Sequence, residues 1–124
     1  VIWGLWHTPV ILLGHNYPGT PGWIAVIAMV AFSTIMGGIF GWLRLRGGSV
    51  WPAALAHSTL NAAATLFVVF VAENGRFDPL HANITGWSGW IIPAIFLVFL
   101  VVLGKFTPFV PKPAAITTEP SEHG

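Results

Sequence analysis

Apolar residues run through four stretches of this chain, and polar or helix-breaking residues separate them. The first stretch is "VIWGLWHTPVILLG", residues 1–14, and it predicts a helix too short to cross about 30 Å of hydrocarbon by itself. Pro9 has no N–H for the carbonyl of Leu5, so this helix should be weakened beside His7. The turn "HNYPGTPG" follows, with two prolines and two glycines to stop a helix. The second stretch, 23–43, is long enough to span. Ser33, Gly37 and Gly41 recur on it every fourth residue, a small-residue face of the kind on which helices pack closely. A short polar loop is expected at 44–49 and a third helix over 51–72, with Pro52 in its first turn. A polar loop covers 73–86. The fourth stretch, 87–104, carries Pro93 near its start, where a local bend is expected. The fold class predicted is all-α, a polytopic transmembrane helical bundle with about four membrane segments.

Composition supports that class. Only 7% of residues are charged, 55% are hydrophobic and the mean hydropathy is +0.77; soluble domains carry about a quarter charged residues. The net charge of +1 gives no case for a nucleic-acid partner. With no cysteine, disulfides and thiolate metal sites are excluded. Val1 opens the chain inside an apolar run, with no basic leader or cleavage site before it. Residues 1–104 are therefore expected to be the C-terminal part of a longer membrane domain. Residues 105–124, rich in proline and polar groups, are expected to be a disordered tail.

Basic residues set the expected orientation. Arg44 and Arg46 lie between stretches two and three, and Lys105 and Lys112 follow stretch four. The turn at 15–22 has neither Lys nor Arg, and the loop at 73–86 has only Arg76. By the positive-inside rule the 44–49 loop and the tail are cytoplasmic. Trp23, Trp42, Trp51, Trp87 and Trp90 sit near span ends, as an aromatic belt requires. The protein is thus expected in a membrane, with lipid as its first partner.

The candidate chemistry lies in "WPAALAHSTLNAA". His57 enters about 9 Å below the start of its helix, and Asn61 follows one turn deeper on the same face. His7 falls in the same half of the first helix. Polar side chains at such depth raise the cost of insertion, and ionisable ones usually mark function. An imidazole exchanges protons near neutral pH, and an amide with a second imidazole can donate to an oxyanion. His7 and His57 could also bind zinc, but a third ligand is needed; the four acids, Glu73, Asp78, Glu119 and Glu122, all fall in loop or tail. Interhelical hydrogen bonding is the plainer alternative for each polar residue. Thr34, Ser58, Thr59 and Thr65 can bond back to their own helices. His15, His81 and His123 are expected to be solvated.

"WGLWHTP" and "LRLRGGSVWPAALAHSTLNA" resemble the second and third motifs of the CPBP family (CAAX protease and bacteriocin-processing, also called Abi). This group holds the CAAX prenyl proteases and lysostaphin resistance protein A-like proteins. Its second motif is Phe-x-x-x-His, with Trp3 here in place of Phe and His7 as the histidine. Its third is His-x-x-x-Asn/Asp, matched by His57 and Asn61. The resemblance covers roughly residues 1–65. It implies an intramembrane endopeptidase acting on a membrane-associated peptide or protein, prenylated or not, in a bacterial plasma membrane. It also implies that a glutamate and His7 activate water while His57 and Asn61 hold the oxyanion. Members are often named metalloproteases; whether zinc takes part, with His7 and His57 as ligands, stays open. The family's first motif, Glu-Glu-x-x-x-Arg, normally lies on an earlier helix and does not occur in these 124 residues, so they are expected to be inactive alone. The alternative is a non-catalytic membrane binding or transport protein, or a degenerate homologue, using the same pocket.

Overall fold

A computed structural model describes residues 1–70 and 78–110, the side chains of 67–70 excepted. The described residues form five helices: α1 (Ile2–Trp6), α2 (Thr8–Leu12), α3 (Gly22–Gly47), α4 (Trp51–Phe70) and α5 (Trp87–Val102). The class is all-α, and the described residues contain no strand. Among the described residues one helix, α3, is long and apolar enough to cross a membrane; α5 is apolar but shorter, at 16 residues. Large apolar side chains cover the outside, among them Ile2 at 85% exposure, Trp6 at 81% and Ile92 at 79%. Such a surface is built for hydrocarbon, and the protein is an integral membrane protein.

The expected first helix is two. Pro9 cannot donate to Leu5, and α1 stops at Trp6. The His7 N–H turns back to the Gly4 carbonyl at 3.1 Å, a tighter bond than the α pattern. The chain restarts as α2, with the Ile11 N–H donating to the His7 carbonyl at 3.0 Å. His7 therefore sits at the break itself.

Helix α3 outruns its expected end. Arg44 and Arg46 form its last turn, where cations suit the negative end of the helix dipole. Gly48, at φ +64°, supplies the left-handed cap, so the expected loop at 44–49 shrinks to its second half. Residues 105–110, at the head of the expected tail, fold back here. The Phe109 N–H donates to the Leu45 carbonyl at 2.7 Å and Arg46 donates to the Thr107 hydroxyl at 3.1 Å. The expected calls on Glu73, Arg76 and residues 111–124 lie outside the described residues.

Helices α1, α2, α4 and α5 all pack on α3, whereas the backbones of α1 and α4 stay apart and Trp3 reaches across to His57. Ile11, Tyr17, Ala25, Ala28, Met29, Phe32 and Met36 form the buried core. The small-residue face works differently from the expectation. Ser33 is buried, but no described residue approaches Gly37 or Gly41. The close approaches fall at Gly4, where an added Cβ would stand 2.6 Å from the Val30 Cα, and at Gly38, against Leu97. A regular spacing on one helix says nothing about which partner has a matching gap.

At the end of the bundle away from Arg44, the connection 78–86 closes over the turn after α2. Tyr17, only 1% exposed, donates to the Thr85 carbonyl at 2.6 Å, and the Trp90 indole donates to the same oxygen at 2.7 Å. Asp78 accepts from the Leu80 N–H at 2.9 Å and pairs with the exposed His81 at 2.7 Å. The Leu80 N–H, then His81, hold its carboxyl below the usual range. Trp90 and Trp42 point inward, Trp42 onto the Phe96 edge, so the aromatic belt reduces to exposed Trp23, Trp51 and Trp87.

Two measurements check this packing. Gly4→Ala should lower the thermal midpoint in detergent, because overpacking against a backbone costs about 1–3 kcal/mol. Gly41→Ala, with open space around it, should hold or raise the midpoint through helix propensity. Burial pushes the Tyr17 phenol up to about 12. Its contribution to stability is full below the ordinary tyrosine value near 10 and is lost as pH rises through 12. Tyr17 is the only tyrosine. The tyrosinate absorbance band should therefore rise near pH 12, and Tyr17→Phe should abolish that alkaline dependence; a titration at the ordinary value would show the phenol to be solvated.

Candidate active site between α1 and α4

Because α1 and α4 both lie on α3 with their backbones apart, a gap is left between them. It forms a cavity of about 880 Å³. Met29, Phe32 and Ser33 of α3 make its floor. On α4, the four-residue spacing carries His57 and Asn61 up one face into this gap. On the other side His7 enters from the break between α1 and α2. All three candidate residues thus line one cavity. His7 and His57 are half-buried and Asn61 stands exposed at the wall.

Trp3 fixes the two imidazoles relative to each other. Its ring meets His7 edge-on at 6.0 Å between centroids, and His57 edge-on at 5.1 Å. Phe40 of α3 packs against both Trp3, at 5.9 Å, and His57, at 5.6 Å. The two histidines therefore share one level of the bundle, held by aromatic walls. Trp3 is the spacer between them as well as the residue one turn before His7.

The His7 ring has a defined direction. Its Nδ1 lies 2.8 Å from the Trp3 carbonyl, which can only accept. Nδ1 must therefore carry the proton and donate, leaving the lone pair on Nε2. This is the arrangement a general base requires, with its far nitrogen held by an acceptor. The same lone pair would suit a metal. Among the described residues, however, no group of three His, Cys, Asp or Glu side chains comes together. The donor set present, two imidazoles, falls short of a zinc site.

The threonines set aside in the sequence bond back as expected: Thr34 to Val30, Thr59 to Leu55 and Thr65 to Asn61. The far end of the cavity was not anticipated. There His15, Asn16, Asn83 and Thr85 converge from two connections. His15 is exposed, yet it belongs to the cavity lining. Asn16 takes a left-handed φ of +66°. No spacing rule joins residues of separate loops, so the sequence carried no signal for this cluster.

An all-helical membrane protein with two histidines and an asparagine on an internal cavity is the class defined so far. A family model described as type II CAAX prenyl endopeptidase Rce1-like matches residues 1–63, which include His7, His57 and Asn61. The chain belongs to that family. No curated protein and no solved structure matches it.

The His7 geometry has a direct readout. Nitrogen-15 NMR of the histidine-labelled protein in micelles should show His7 with Nδ1 protonated and Nε2 free. An Nε2-protonated tautomer would remove the base from the cavity and sink the assignment.

Proposed function

We propose that this chain supplies the histidine and oxyanion-binding half of an intramembrane endopeptidase that cuts a membrane-associated peptide or protein. The observation that carries the reading is the meeting of His7, His57 and Asn61 on one cavity, with Trp3 between the imidazoles. In this reading His7 Nε2, with the glutamate of the family's first motif, takes a proton from water. The hydroxide attacks the scissile carbonyl carbon. His57 and the Asn61 amide donate to the oxygen as it becomes negative, and the apolar floor keeps these hydrogen bonds in a low dielectric. His7 then returns its proton to the leaving nitrogen as the C–N bond breaks, so charge and protons balance.

The setting follows the same reading. The α1–α2 pair, α3, α4 and α5 lie in the membrane, a bacterial plasma membrane, as four segments. The end bearing Arg44, Arg46 and Lys105 is cytoplasmic. This places the histidines in the cytoplasmic half. Prenylated substrates fit the apolar lining, and the chemistry does not require the lipid group.

The test is cleavage of a membrane substrate by the full-length parent at matched expression. Asn61→Ala should lower turnover by roughly a hundredfold or more, as loss of an oxyanion donor does elsewhere. His57→Ala should behave alike. Binding should change less than turnover, because the donor matters when charge develops. Ser58→Ala, one residue round the helix, should be nearly silent. Wild-type rates from Asn61→Ala, with rates lost in Ser58→Ala, would put the chemistry on a different face of α4.

A further inference from the structure

His7 and His57 are held by different means. Among the described residues the imidazoles that make hydrogen bonds are those of His7 and His81; that of His57 makes none. Its neighbours are aromatic. Trp3 of α1 meets it at 5.1 Å between centroids, with the planes at 78°, and Phe40 of α3 lies at 5.6 Å, tilted by 39°. Trp3 and Phe40 are themselves 5.9 Å apart. All three distances fall in the range at which aromatic rings attract one another. The three rings close a triangle, so each is braced by the other two.

Bracing matters because the outer torsion of a histidine side chain is broad. A ring without a hydrogen bond takes its plane from what it packs against. One neighbour leaves it free to swing about that contact, whereas two neighbours from different helices fix the plane. Trp3 comes from α1, and Phe40 comes from α3, on which the other four helices pack. An N–H donor weakens steeply once its angle falls below about 120°. A donor to an oxyanion must therefore have its direction set before charge develops. We propose that Phe40 is a positioning residue of the site: with Trp3 it fixes the plane of the His57 ring, and so the direction in which that ring donates.

Packing alone does not ask for a ring at position 40. Phe40 is only half-buried, at the margin of the core that holds Met29, Phe32 and Met36. A leucine would fill such a margin and is the better helix former. What leucine lacks is a flat face to set against imidazole. Phe40 lies outside both histidine motifs, one apolar residue among many in its stretch, so its place beside His57 comes from the structure. That the fixed N–H serves an oxyanion rests on the endopeptidase reading; the bracing of the ring rests on the triangle alone.

Two measurements on the full-length parent test this. Phe40→Leu and Phe40→Met both remove the ring and keep an apolar side chain. In nitrogen-15 and proton NMR of the histidine-labelled protein in micelles, the His57 ring signals should shift and broaden in both variants, as those of a ring sampling several orientations do. His7, tied to the Trp3 carbonyl, should keep its Nδ1-protonated pattern. In cleavage of a membrane substrate kcat should fall by about tenfold, less than deleting a donor costs, with KM nearly unchanged. Phe40→Leu combined with His57→Ala should be no slower than His57→Ala alone, because the two residues act as one unit. Ile39→Val, at the neighbouring position of the same core margin, should lower the thermal midpoint and leave kcat and the His57 signals as they are. Sharp, unmoved His57 signals in both Phe40 variants overturn the proposal. So does a wild-type kcat in them where His57→Ala is slow, a further fall in the His57→Ala background, or the same losses from Ile39→Val. If the parent cuts nothing, or keeps its rate in His57→Ala, the endopeptidase reading fails, and the His57 signals alone decide whether Phe40 holds the ring.

Discussion

A helix backbone can press against another only where a side chain is missing from the contact, and Gly4 is where α1 meets α3. The Val30 Cα lies so close that even a methyl group at position 4 would overlap it. That contact fixes the neighbouring Trp3 against Phe40 of α3, and Trp3 in turn fixes the ring planes of His7 and His57. A wider α1–α3 spacing would move Trp3 and both imidazoles with it. The geometry of the site is thus inherited from a glycine that has no chemistry of its own.

Lipid as solvent explains the rest of the plan. Apolar side chains gain little by leaving hydrocarbon for a protein core, so packing depends on close van der Waals fit and on hydrogen bonds at the ends. The core is accordingly small, and the two ends are tied by specific polar contacts. Tyr17 and Trp90 share the Thr85 carbonyl at one end; Arg46 and Phe109 anchor residues 105–110 at the other. With α3 as the common support and the ends tied, α1 and α4 are held apart. The cavity is what that separation leaves.

The sequence made the helices and the two histidine motifs legible because both depend on local rules. Apolar runs bounded by Pro and Gly mark helices, and a four-residue spacing puts His57 and Asn61 on one face. Pro9 even marked the weak point beside His7, although not that the chain would break into two helices there. Boundaries shifted where a local cap prevailed, as Gly48 let α3 run through Arg44 and Arg46. What stayed hidden was pairing between distant segments. Ser33, Gly37 and Gly41 predicted a packing face, and the partner instead used Gly4 and Gly38. Tyr17 and Thr85 meet across 68 positions, and no periodicity reaches that far.

The polar side chains of these helices differ in what keeps them in place, and the difference separates structure from chemistry. The Thr34, Thr59 and Thr65 hydroxyls are satisfied by their own helices, which makes them cheap to keep in hydrocarbon. His7 satisfies one nitrogen and leaves the other open. Asn61 projects from α4 at an exposed wall, where an amide in lipid disfavours insertion. Polar atoms already matched within their own helix need no further explanation. Those left open on a shared cavity are the groups that the proposed reaction would use. In the proposed endopeptidase the open Nε2 of His7 and the amide of Asn61 would serve the reaction, whereas the helix-bonded threonines belong to the scaffold.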